Sequence, residues 1–231
     1  FSYAFVKQIF HEFEVSPTDY VFDPFCGMGT TLFTSCINGI PAIGVDKLPT
    51  STFIANTLPK FLTIQSNQIS KYYEEAKRQL EHTEEAHVAE DVRIMKIAFS
   101  PTNLTALKKW KTLIATLPTP YQEVMNLLYL AILEPASFTS KDGQFLRYLP
   151  DKLTLNPTTL LANKVKEAEQ DLVTLQQLQW HENYLLPAVF EGDARNLSTV
   201  PFSREPTLIL TSPPYANRYD YTRSYSLELC F

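Results

Sequence analysis

The chain has 231 residues, of which 45% are apolar and 19% charged, with a formal net charge of −5. That apolar content can bury a full core, so one domain, or one domain with an insertion, is expected. A mildly acidic balance argues against a DNA binder that works by bulk charge and leaves room for a local basic cleft. No uncharged apolar run of about 18 residues occurs, and "FSYAFVKQIF" lacks the basic start and apolar block of a secretion signal, so neither a membrane span nor export is expected. Cys26, Cys36 and Cys230 are odd in number and scattered, which supports neither a disulfide framework nor a zinc cluster and fits a reducing cytoplasm.

Phe5, Val6, Ile9, Phe10 and Phe13 recur at helical spacing and predict a first helix lying on a sheet. After Ser16-Pro17, "YVFDPF" (20–25) reads as a short strand, Gly27 and Gly29 as a turn, and "TTLFTSCINGI" as a helix stopped by Gly39. "PAIGVDK" then supplies a second buried strand ending in Asp46, which makes a parallel, right-handed βαβ unit and an α/β fold.

Strand-like runs nearly vanish from about 50 to 185, so residues 61–186 are expected to be a helical insertion into a core built from 1–60 and 187–231. Ser100-Pro101 reads as an N-cap with proline at N1, opening a helix with Leu104, Leu107, Trp110, Ile114 and Leu117 on one face and Lys108, Lys109 and Lys111 beside or opposite it. "EVMNLLYLAIL" (123–133) should be its buried partner. "TSKDGQFLRYLPDK" (139–152) reads as a turn-rich connector, and Leu161, Val165, Ala168, Leu172 and Leu175 as the seam of a long helix. The insertion's lysines suit either a solvated face or a DNA-reading one. Strand grammar returns in "PAVFEGDARNL" (187–197) and "TLILTSPPY" (207–215). "SLELCF" reads as a helix cut off partway, so a longer parent protein is expected, with the sheet completed by the rest of that chain or by a second subunit.

Three stretches carry chemistry. The first is "DPFCGMGTT" (23–31) with Asp46 about twenty residues on. Glycines at a strand-to-helix turn let a ligand approach the backbone, the helix N-terminus attracts an anionic group, and an acid ending the next strand can accept from ribose hydroxyls. A dinucleotide fingerprint needs a further glycine where Leu32 stands, so NAD is disfavoured and a carboxylate-bearing nucleoside, S-adenosylmethionine, is favoured. The second is "EGDARNL" (191–197), where Asp193 follows a strand and could meet an adenine amino group.

The third is "TSPPY", in which Pro213 and Pro214 stiffen the exit from a buried strand. An exocyclic amine of cytosine or adenine is a poor nucleophile because its lone pair is delocalised into the ring. An enzyme that methylates it gains from acceptors that hold the N–H groups, which Ser212 Oγ and the Pro213 carbonyl can supply, while Tyr215 can stack on a base swung out of the duplex. His11 and His181 are isolated, and His82 and His87 stand five apart, on different faces of a helix, so metal catalysis is not expected. Neither Cys26 nor Cys36 follows a proline as a C5-cytosine nucleophile usually does. "RYDYTRSY" (218–225), with Arg218 and Arg223, could grip phosphates.

With these motifs in order, the chain resembles the amino-methylating DNA methyltransferases: "DPFCGMGTT" looks like their motif I, Asp46 like the motif II acid, "GDARNL" the motif III position and "TSPPY" motif IV. The resemblance covers roughly 1–60 and 187–231, and "FSYAF" occupies the place of motif X, which would put Phe1 or Ser2 near the methionine end. It implies a Rossmann-like methyltransferase sheet, incomplete at the C-terminus, and S-adenosylmethionine held by Asp23, Phe25, Cys26, Gly27, Gly29, Thr30, Thr31, Asp46 and Asp193, with Cys26 lining the turn. The target amine would be held by Ser212, Pro213, Pro214 and Tyr215. The implied partners are DNA and a cognate restriction endonuclease. Ser before Pro-Pro is commoner among N4-cytosine enzymes, which points to cytosine; N6-adenine, an RNA guanine-N2 activity, and a non-enzymatic nucleic-acid-binding subunit are the alternatives. The placement of the helical block between motifs II and III departs from the family's usual classes.

Overall fold

A computed structural model describes residues 1–142, 145–177, 183–214 and 221–231, the Tyr221 side chain excepted. In chain order the elements are α1 (Tyr3–Glu12), β1 (Val21–Asp23), α2 (Thr30–Ile37), β2 (Ala42–Asp46), α3 (Pro49–Thr57), α4 (Gln68–Gln79), α5 (Met95–Ala98), α6 (Pro101–Ala115), α7 (Tyr121–Leu130), β3 (Thr139–Lys141), β4 (Leu146–Tyr148), α8 (Pro157–Gln177), β5 (Ala188–Glu191), β6 (Leu208–Ile209), α9 (Tyr221–Ser224) and α10 (Ser226–Cys230). They form two compact units, Phe1–Thr63 with Leu175–Tyr219, and Ile64–Thr174 with Asp220–Phe231. No described helix is long and apolar enough to cross a membrane.

The first unit is α/β. Its sheet has the order β5-β2-β1-β6, and every pairing is parallel. Helices cover a parallel sheet on both faces, so its strands should be apolar on both sides, and β1 is buried at all of its positions. Alternation along the strands sorts the residues. Val21 and Ala42 join Val6, Phe10, Leu32 and Val189 in one apolar cluster, whereas Phe22, Ile43 and Val45 join Tyr20 and Val200 in another. The α1 stripe is narrower than its periodicity predicts: Val6 and Phe10 are buried, but Phe5 and Phe13 are exposed. Ser2 caps this helix by accepting from the Phe5 amide at 3.2 Å.

Gly44 explains the fit of α2 on the sheet. A Cβ there would lie 2.4 Å from Leu32 Cδ1 and 3.0 Å from Cys26 Cβ. Close packing of helix on strand is thus provided by a glycine on the neighbouring strand, and Leu32 fills the space its missing side chain leaves. Position 32 can therefore be leucine without forcing the helix away.

The second unit is helical, with one antiparallel hairpin, β3-β4. Trp110 of α6 is fully buried, stacks on Tyr73 of α4 at 5.2 Å between ring centroids, and donates from Nε1 to Thr158 Oγ1 at 3.0 Å. Ser100 caps α6 by accepting from the Asn103 amide at 3.2 Å, with Pro101 at the first helical position as its sequence predicts. Leu161, Val165, Ala168 and Leu172 of α8 are buried at the predicted seam spacing. Residues 139–152, read from sequence as a connector, instead contain the hairpin: polarity hid the strand, and Asp142 closes it by accepting the Phe145 amide on Oδ1 at 2.9 Å.

The α6 lysines have a structural use. Lys108 Nζ lies 2.7 Å from Glu85 and 2.6 Å from Glu90, and Lys109 donates to the Glu81 carbonyl at 3.0 Å. Lys111 donates to the His87 carbonyl at 3.3 Å. Together they fasten the acidic segment 81–90 to the helix.

Candidate active site

In an all-parallel sheet every strand ends on the same side, and the residues singled out from sequence follow β1, β2, β5 and β6. The strand order doubles back between β1 and β6, since the chain fills β2 and β5 on one side of β1 before returning to the other. In open α/β sheets a ligand binds at that reversal, beyond the carboxyl ends of the strands.

The turn after β1 is built by one backbone bond to the neighbouring strand and one within the turn. The Cys26 amide donates to the Val45 carbonyl at 3.0 Å, and the Gly29 amide to the Cys26 carbonyl at 2.8 Å. Gly27 has φ +51° and Gly29 φ +85°, the left-handed region that favours glycine. Their roles differ. A Cβ on Gly29 would sit 2.8 Å from Ala55 Cβ on α3, whereas one on Gly27 would meet nothing within 4 Å. Gly29 is needed for packing and cap geometry; Gly27 faces open space, where a ligand can reach the backbone. The first-turn N–H groups of α2 (Thr30–Ile37) have no carbonyl partner within their own helix, and Thr30 and Thr31 lie in that turn.

Three carboxylates stand at or just past the carboxyl ends of β1, β2 and β5 in different settings. Asp46 accepts the Gly27 amide on Oδ2 and the Leu48 amide on Oδ1, both at 2.9 Å. Asp23 is 3% exposed, and its Oδ1 accepts from the Phe25 amide at 3.1 Å and from Thr211 Oγ1 at 2.7 Å. Burial raises its pKa against the pull of those hydrogen bonds. The Thr31 hydroxyl stands near enough to steady the Asp23 charge, yet it is buried without a hydrogen bond of good geometry. Asp193 is engaged by Arg195: Nε donates to Oδ1 at 2.9 Å and Nη2 to Oδ2 at 2.6 Å, with Lys47 Nζ 3.4 Å away. These bonds hold its carboxyl well below the usual range. The Arg195 side chain is 83% exposed, so the pair is a surface one of small net worth and a ligand can displace it.

Cys26 is buried, and burial raises its thiol pKa strongly, with the Asp46 and Asp23 charges adding to the effect. Such a thiol is packing, not a nucleophile. Phe25 is partly exposed at the rim of the turn.

On the other side of the reversal, β6 pairs with β1 through Val21↔Leu208 and Phe22↔Ile209, and the Leu210 amide donates to the Phe22 carbonyl at 3.1 Å. The ladder stops there, and Pro213 and Pro214 further on have no N–H with which to resume it. Ser212, Pro213 and Pro214 follow as exposed, non-helical chain. Tyr215 lies outside the described residues, as does Arg218. The sequence reading missed Thr211, although it stands inside the "TSPPY" motif, two positions past the end of β6; its partner Asp23 lies on the adjacent strand, 188 residues away. It also missed Gly44.

This chemistry fits a donor with an adenosine and an amino-acid end: an open glycine backbone, the first-turn N–H groups of α2 for a carboxylate, and acids at or just past the ends of the second and third sheet strands for hydroxyl and amino groups. Among the described residues no group of histidine, cysteine and acid side chains is arranged to hold a metal.

The chain is similar to Type II methyltransferases. It is 29% identical to M.BsoBI of Geobacillus stearothermophilus over its whole length, which covers 50% of that protein. It is 27% identical to M.AvaI of Nostoc sp. and of Anabaena variabilis, over 99% of this chain and 51% of theirs. The chain thus spans about half the length of these curated relatives. No protein-family model and no solved structure matches it. Both motifs fall at one reversal of a parallel sheet, and the similarity to these Type II methyltransferases runs the length of the chain.

Proposed function

We propose that the protein transfers a methyl group from S-adenosylmethionine to an exocyclic amine of a DNA base, with cytosine N4 as the target. The observation that carries this reading is the Thr211–Asp23 hydrogen bond at 2.7 Å, because it joins the motif IV exit to the motif I turn. The methyl donor supplies a sulfonium-bound methyl for direct displacement by the amine. Gly27, the first turn of α2, Asp46 and Asp193 would hold it, the last after exchange of its Arg195 contact. Ser212 Oγ and the Pro213 carbonyl would accept the two amine N–H groups, which favours a tetrahedral nitrogen with its lone pair free. Tyr215 would stack on the extruded base. No covalent enzyme intermediate is needed, in keeping with the buried Cys26.

The Type II designation of the relatives favours DNA over RNA and a role beside a cognate restriction endonuclease. Serine at 212 favours cytosine over adenine. The test is mass spectrometry of nucleosides from the DNA of cells expressing the full-length protein: N4-methylcytosine is expected, and it should vanish in Ser212→Ala. N6-methyladenine would move the target to adenine. Absence of both, with methylated guanine in RNA, would overturn the reading.

A further inference from the structure

We propose that Thr211 is a positioning residue of this site: its hydroxyl hangs the Ser212–Pro214 exit from the same Asp23 oxygen that holds the cofactor turn, so one carboxylate sets the two halves against each other. This inference rests on the functional reading above and adds a residue to it. The geometry is a handover. The Leu210 amide makes the last backbone bond from β6 to β1, to the Phe22 carbonyl. One residue later a side chain takes over, Thr211 Oγ1 to Asp23 Oδ1 at 2.7 Å. Beyond it, Pro213 and Pro214 have no N–H with which to continue a ladder.

Asp23 suits this task because it is 3% exposed and its Oδ1 also accepts the Phe25 amide at 3.1 Å. A hydrogen bond to a buried charged group is short and strong, and its direction is fixed at both ends. Desolvation raises the acid's pKa, so the hydroxyl also helps keep it ionised. Ser212 is adjacent in the chain, so a shift at Thr211 moves the amine-holding oxygen directly. Displacements of about 1 Å at such a site can slow a reaction by roughly a hundredfold.

The test uses the full-length protein with Thr211→Val, which removes the hydroxyl at nearly constant shape, and Thr211→Ser, which keeps it. Thr211→Val should hold S-adenosylmethionine affinity within about twofold by calorimetry while slowing single-turnover methyl transfer roughly ten- to a hundredfold, the scale of one hydrogen bond to a charged group. Thr211→Ser should return the rate to within about threefold of wild type. In carbon-13 spectra, Asp23 should titrate at higher pH in Thr211→Val than in wild type, and the Ser212 amide should exchange faster with solvent. Donor affinity falling in step with the rate, equal losses in both variants, or an unmoved Asp23 titration would overturn the assignment. A wild-type protein that methylates no nucleic acid would sink the functional reading alone. The Asp23 titration and Ser212 exchange would then still decide the positioning role.

Discussion

Asp46 Oδ2 accepts the backbone N–H of Gly27 at 2.9 Å, so the acid that ends the second strand holds the glycine turn that follows the first. Its Oδ1 accepts the Leu48 amide at the same distance, which also ties it to the start of α3. From sequence the acid reads as a ligand for ribose hydroxyls. Each carboxylate oxygen has a second lone pair, so the two roles are compatible. Asp46→Ala should therefore cost about 1–3 kcal/mol of stability, by loss of hydrogen bonds to a charged acceptor, and also weaken donor binding. Asp46→Asn keeps one acceptor oxygen and should fall between. Urea unfolding and calorimetry of the full-length protein check this; Asp46→Ala with unchanged donor affinity would leave the acid a purely structural role.

The two turn glycines should separate under substitution by alanine. At Gly29 a Cβ collides with Ala55 of α3 and the left-handed backbone is strained as well, so Gly29→Ala should cost about 2–4 kcal/mol. At Gly27 only the backbone strain applies, so the cost should be about 1–2 kcal/mol. Gly27→Ala should nonetheless impair donor binding, because the new methyl occupies the open side of the turn. Comparable stability losses in the two variants, measured by urea unfolding, would contradict this division of labour.

Gly44 and Leu32 make a third case, in which two residues share one volume. Gly44→Ala alone should cost about 1–3 kcal/mol from overpacking against Leu32 Cδ1 and Cys26. Leu32→Ala alone should cost about 2–5 kcal/mol, because Leu32 is fully buried. The double variant should be more stable than the sum of the two losses implies, since the alanine at 44 then enters the space vacated at 32. A double-mutant cycle of unfolding free energies reads this coupling, and strict additivity would show that the Cys26 contact dominates.

How much of this was legible follows from what sequence encodes locally. The β1–turn–α2–β2 unit was readable because "YVFDPF", two glycines and Gly39 punctuate it at fixed offsets, and the halt of β6 was readable from Pro213 and Pro214. The α6 cap was legible for the same reason. The β3-β4 hairpin was not: its strands are three residues each and carry Lys141 and Arg147, so polarity masked the alternation. Phe5 and Phe13 were over-assigned to the core because periodicity gives the direction of a stripe but not its width. Thr211 and Gly44 act through partners 188 and 12 residues away, at Asp23 and Leu32, and no local pattern carries such a pairing.

Asp23 links the fold's stability to pH, with a sign that can be worked out. Burial raises its pKa above the ordinary 3.8 in the folded chain, while the unfolded chain titrates near that value. The folded state therefore holds its proton to higher pH than the unfolded state. The contribution of Asp23 to stability is fully present below about pH 3.8 and is lost as pH rises through the folded pKa. Asp23→Asn has no such titration, and its side-chain oxygen can still accept from Phe25 and Thr211. The stability of wild type relative to Asp23→Asn should accordingly fall as pH rises from below 3.8 and then level off once the buried acid has ionised. Urea unfolding of both proteins across acidic to neutral pH reads the difference directly. A difference that grew in favour of wild type with rising pH would mean that hydrogen bonds to the carboxylate outweigh its desolvation, reversing the order of the two effects assigned here.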